Sequence, residues 1–142
     1  MAWYEDNCTC DYFRIKNNQL LIAIGWLESE KMFNHGQIFD EIYARLESLL
    51  ENPWQPWIYR GLHECSLCVE DVKARGYQNL FIPGDGVLYV CPEMILHYIK
   101  IHQYQPPDEF CNAVLNCPDC DSTEYIMLIR AIGIEEFNKE IN

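Results

Sequence analysis

Cys65-Ser66-Leu67-Cys68, followed after 28 intervening residues by His97 and then His102, is the feature that most narrows what this chain can fold into. Two thiolates two residues apart can both reach one metal ion, because a tight knuckle points their sulfurs the same way. Imidazoles supplied by a following helix then complete a tetrahedron, the arrangement zinc prefers. The His-x4-His spacing also falls in the range of zinc-finger sites. Four protein ligands leave no open coordination position, so the expected zinc is structural and not catalytic.

One geometrical condition attaches to this set. Positions five apart on an ideal helix point about 140° apart. His97 and His102 can therefore share an ion only if the helix unwinds near Ile101, and Pro106-Pro107 makes an early end reasonable. If the helix stays regular, His63, two residues before Cys65, is the natural substitute ligand. Cys117 and Cys120 form a second substitute pair, which with Cys65 and Cys68 would make a four-cysteine ribbon.

The chain has eight cysteines, and in the cytosol paired spacing points to metal or redox chemistry instead of disulfides. Cys8, Cys10, Cys91 and Cys111 read as small apolar residues, buried for their packing. Cys117-Pro118-Asp119-Cys120 has the letters of a thiol oxidoreductase motif but not its setting. That chemistry needs a helix N-terminus to lower a thiol pKa, whereas here a helix leads in and Asp119 and Asp121 flank the pair. Neither Cys-x-x-Cys is followed by His, which excludes c-type haem attachment. Gly84-Asp85-Gly86 is a turn and not a phosphate loop, since no helix N-terminus follows it. No Ser/His/Asp set or carboxylate pair can be assembled from spacing.

Charge narrows the partners. Twenty-two acids against ten bases leave a formal charge of −12, with no Lys/Arg run, so nucleic-acid binding through a basic groove is disfavoured. A basic protein partner is the complementary expectation. No apolar run reaches the roughly 20 residues that span a bilayer. The opening residues carry acids where a signal peptide carries bases, so the expected location is cytoplasmic. At 142 residues, 49% of them hydrophobic, the chain is expected to form a single zinc-stabilised domain over 1–142.

The hydrophobic pattern predicts strands over 11–16 and 19–27, the second nearly all apolar and hence a central strand. A helix is predicted over 36–51, ending before Pro53, and a short strand just before Gly61. Residues 77–83 and 87–91 read as a β-hairpin around Gly84-Asp85-Gly86. Helices follow over 92–102, with Pro92 in the first turn, and over 108–115. A last helix over 122–132, opened by Asp121 with Glu124 and closed by Gly133, leaves a polar tail expected to fray. The sum is an α+β fold: a small antiparallel sheet, three to four helices, and a zinc-knuckle/hairpin/helix unit.

Three runs carry a resemblance. They are Gly25-Trp26-Leu27; then Gly61, His63, Cys65 and Cys68; then Pro92, Ile95, His97, Tyr98, His102, Tyr104, Pro106, Pro107, Glu109 and Phe110, continuing to Ala113 and Val114. Together they resemble a family of small uncharacterised bacterial proteins with a GxHxCxxC … HYxxxHxYxPPxEF pattern. The resemblance spans most of the chain. It implies a bacterial, free-standing domain in which His63, Cys65, Cys68, His97 and His102 belong to one constellation, and it implies no activity. Cys117 and Cys120 are less typical of the pattern.

Two classes of function follow. The first is a zinc-stabilised binding or accessory protein, in its sharper form an immunity- or antitoxin-like inhibitor whose acidic surface blocks a basic cleft. The second is a metal-dependent hydrolase, with three ligands, a bound water and Glu64, Glu93 or Asp85 as general base. Zinc-finger-like DNA binding ranks last, because the helix over 92–102 offers phosphate a single lysine, Lys100.

Overall fold

The computed structural model describes residues 2–57, 62–69 and 73–141. The strand expected just before Gly61 lies largely outside these described residues. The α+β class holds: among the described residues, five α-helices accompany a three-stranded sheet and a separate two-stranded ribbon.

The hairpin forms where the glycines predict it. β4 (Asn79–Pro83) and β5 (Leu88–Pro92) pair antiparallel, and the Gly84 N–H donates to the Val87 carbonyl at 2.8 Å. Gly86 sits at φ +72°, a conformation that a Cβ would strain. Asn79 to Ile82 and the whole of β5 are buried, so both faces of the hairpin are covered.

β1 (Leu21–Ala23) joins this sheet in the order β1-β5-β4 and runs parallel to β5, so the sheet is mixed and not wholly antiparallel. The helix-containing crossover between β1 and β5 is what permits parallel pairing. Two expectations are corrected here. The apolar run 19–27 contains only three strand residues, at an end of the sheet; Gly25, at φ +77°, turns the chain, and Ile24, Trp26 and Leu27 are buried beyond strand structure. Residues 11–16 form no strand. The outer edge of β1 pairs instead with residues 7–10, through Cys10 N–H to Leu21 O (2.9 Å) and Ala23 N–H to Cys8 O (2.8 Å).

α1 (Asp40–Glu51) starts four residues later than its periodicity suggests. The preceding residues are taken by extended pairing: Gly36 N–H donates to Gln103 O and Gln105 N–H to Asn34 O, both at 2.9 Å. Asp40 and Glu41 then place negative charge in the first turn, where the helix dipole favours it. Ile42, Leu46 and Leu49 form its buried stripe. α2 (Ile95–His102) begins three residues after Pro92, because Pro92 is the last residue of β5.

α3 (Asp108–Asn116) follows Pro106-Pro107 as predicted. α4 (Thr123–Ile132) ends at Gly133 (φ +85°), but its cap is Ser122, whose hydroxyl accepts the Tyr125 N–H at 3.1 Å, one residue later than predicted. Most of the polar tail is helical: residues Glu135–Lys139 form α5, and Phe137 is fully buried, its ring centroid 5.0 Å from those of Trp57 and Phe81. Burial of one phenylalanine contributes about 1.5–3 kcal/mol, which is enough to dock a helix this short. These elements share one apolar core. Among the described residues, no helix is long and apolar enough to cross a membrane.

Candidate metal centre

Two segments far apart in the chain build the site. The first is the ribbon of β2 (His63–Glu64) and β3 (Arg75–Gly76), which pairs His63 with Gly76 and Glu64 with Arg75. Cys65 N–H extends the ladder to the Ala74 carbonyl at 2.8 Å, so the knuckle starts where the pairing stops. Ser66 and Leu67 make the turn, and the Ser66 hydroxyl accepts the Ser29 N–H at 2.9 Å. A Cβ at Gly76 would lie 2.5 Å from Cγ of Glu93, so that side chain would have to shift.

The second segment is α2. Its end resolves the angular problem of two histidines five residues apart. The Tyr98 carbonyl accepts from Gln103 N–H, five residues on, and from Tyr104 N–H, six residues on at 3.1 Å. A turn closed five residues back is wider than an α-turn and rotates each residue by less than 100°, which brings His97 and His102 towards one side. Gln103, at φ +55°, then ends the helix.

The four side chains converge. Cys68 Sγ lies 3.1 Å from His97 Nε2 and 3.6 Å from His102 Nε2, while Cys65 Sγ lies 3.4 Å from His102 Nε2. The two Nε2 atoms are 3.2 Å apart, and all four ligand atoms lie within 4.8 Å of one another. Cys65 is fully buried and the other three are half-buried. This group could hold a metal ion.

The surroundings suit such an ion. Burial first, then the Cys68 thiol beside it, push the Cys65 thiol above its ordinary pKa; a coordinated cation reverses this, because it deprotonates the thiol outright. Tyr98, between the two histidines in sequence, is fully buried with its hydroxyl unpartnered among the described residues. Burial and then the Cys65 and Cys68 thiols push the pKa of that hydroxyl up, so it stays protonated and neutral.

His63 is placed elsewhere, which corrects its candidacy as substitute ligand. Its ring is buried against Tyr12 and Trp26, with Nε2 3.4 Å from the Tyr12 hydroxyl. Burial lowers its pKa, so it is a neutral core histidine. Cys117 and Cys120 likewise do not join Cys65 and Cys68. Nor do the carboxylates considered as general bases lie among the converging groups. Glu93 accepts the N–H groups of Tyr77 and Gln78, and Glu64 pairs with Arg75 at 3.0 Å.

A domain family of unknown function, DUF7919, matches residues 2–115. The chain belongs to this family. The matched region contains all four converging side chains and ends within α3, before Cys117. No curated protein and no solved structure matches the chain. The family brings no activity with it.

Proposed function

We propose that Cys65, Cys68, His97 and His102 bind one zinc ion as a closed structural site, in a protein that works by binding a basic partner and not by catalysis. The observation that carries the zinc is the set of separations. Zinc bonds of about 2.3 Å to sulfur and about 2.0–2.1 Å to nitrogen give tetrahedral edges of roughly 3.3 Å between nitrogens and roughly 3.5 Å between nitrogen and sulfur. The nitrogens stand 3.2 Å apart, and three of the four nitrogen–sulfur distances are 3.1, 3.4 and 3.6 Å. A two-thiolate, two-imidazole tetrahedron is a donor set that favours zinc.

The ion would tie the ribbon to the end of α2, two segments separated by the whole β4–β5 hairpin. With four protein ligands there is no place for a reactive water. The net charge of −12 supports a basic partner through electrostatic complementarity.

The test is elemental analysis of protein purified without added metal, beside Cys65→Ser and His102→Ala. One zinc per chain, lost in both variants, is the expected result. Zinc retained in His102→Ala would remove that histidine from the site, and metal-free wild-type protein would overturn the proposal.

A further inference from the structure

A cavity of about 220 Å³ opens between the N-terminal segment and the loop after Leu27, walled by Trp3, Tyr4 and Phe33 and carrying Glu5 and Asp6. We propose that this pocket receives the side chain of an arginine or lysine from a basic protein partner. The inference rests on the reading of an acidic binding protein and sharpens it to one place.

Aromatic walls and acids are the two things that recognise an organic cation. The Trp3 ring already shows the first: the Lys31 ammonium lies over it, 4.6 Å from the ring centroid. The other walls are packed against neighbouring rings. Tyr4 packs edge-on against Trp26 at 5.4 Å between centroids, and Phe33 stacks on His35 at 4.2 Å. A pocket whose walls do not have to be ordered loses less on binding.

Asp6 supplies the charge. Its carboxylate accepts the Gly25 N–H at 2.9 Å and the Tyr104 hydroxyl at 2.7 Å, one on each oxygen. Both donors are neutral. Among the described residues, no lysine, arginine or histidine forms an ion pair with Asp6 or Glu5. Each carboxylate oxygen can accept a further bond, so a guanidinium or ammonium entering the pocket would meet two lining carboxylates with acceptor capacity and no ion-pair partner among the described residues. Glu5 is exposed beside it and adds a second carboxylate at the mouth. Lys31 is the chain's own competitor for the Trp3 face.

The test uses the intact chain and N-acetyl-arginine methylamide, with N-acetyl-citrulline methylamide as its neutral isostere. Binding is followed by NMR at the Trp3 indole and at the amides of residues 4–7, 33 and 34. Saturable shifts confined to these signals, with the arginine compound and not with citrulline, are expected. Trp3→Ala and Glu5→Gln should each weaken binding about tenfold, equivalent to about 1.4 kcal/mol. Lys31→Ala should tighten it several-fold. Glu124→Gln, the same charge change on α4, should alter it less than twofold.

The pocket proposal is overturned if citrulline binds equally, if shifts spread over the acidic surface and Glu124→Gln weakens them as much as Glu5→Gln, or if nothing saturates. A titration with polylysine separates the two readings. Polylysine binding without the pocket signals removes the pocket and keeps the basic-partner reading; no polylysine binding and no arginine binding removes both.

Discussion

Cys65–Cys68 and Cys117–Cys120 have the same spacing and opposite surroundings. Sγ atoms of the first pair face two imidazole nitrogens at 3.1–3.6 Å. The second pair, in the loop between α3 and α4, faces none: Cys117 Sγ contacts the Pro118 carbonyl at 3.3 Å, and both residues are buried. Arg45 holds that loop from outside, through the Cys117 carbonyl at 2.6 Å and Asp119 at 2.9 Å. Burial, followed by the Cys120 thiol nearby, pushes the Cys117 thiol up to about 12. A Cys-x-x-Cys knuckle is thus half of a site, and what arrives opposite decides whether it is a ligand pair or packing.

The strongest way to break this comparison is to exchange thiols for hydroxyls. Cys65→Ser should lose the metal and at least about 3 kcal/mol of stability, a part of the roughly 10–16 kcal/mol that zinc supplies in small fingers. Cys117→Ser should keep the metal and lose about 1–2 kcal/mol, the range for a buried polar mismatch. Denaturant unfolding beside elemental analysis reads both. Equal losses, with metal retained in both, would show that the two pairs are alike.

Thiol labelling sharpens the contrast. In native protein with the metal bound, alkylation at neutral pH should be rapid at Cys8, which is exposed. A chelator should add Cys68 first and Cys65 after it, as the clamp opens, because Cys65 is the more deeply buried. Cys10, Cys111 and Cys117 should lag under both conditions, because burial pushes their pKa values up to about 12, 11 and 12. A raised pKa means less thiolate at a given pH, so their labelling should accelerate only as the pH climbs towards those values. Mass spectrometry of the labelled peptides gives the order. Early labelling of Cys117, ahead of Cys68, would contradict it.

His63 offers a smaller test of where the boundary of the site lies. His63→Phe should leave one zinc per chain and change stability by no more than about 1–2 kcal/mol, since it loses the Tyr12 contact but also a buried, unpartnered Nδ1. Loss of metal would return it to the ligand set. Arg45→Ala should have the least effect, about 1 kcal/mol without change in metal content, because Asp119 is largely exposed and only the bond to the Cys117 carbonyl is half-buried.

Local chemistry was legible in the sequence wherever a residue acts on its own neighbours. Gly84-Asp85-Gly86 specifies its hairpin by backbone conformation, and Pro53 and Gly133 end helices for reasons carried within a turn. Residue types and spacing also singled out Cys65, Cys68, His97 and His102, because metal coordination allows few donor sets. What sequence could not supply is which surface meets which. The tail looked solvated until Phe137 found the ring cluster of Trp57 and Phe81. The run 19–27 looked like a central strand, yet apolarity reports burial and not strand order, and residues 7–10 rather than 11–16 cover its edge. His63 stands two residues before Cys65 in sequence, but its ring packs in the core against Tyr12 and Trp26. The widened last turn of α2 brings His102 beside His97. Sequence determines the donors and the turns; the packing of distant segments decides which donors share a point in space, because direction in three dimensions is set by every element in between.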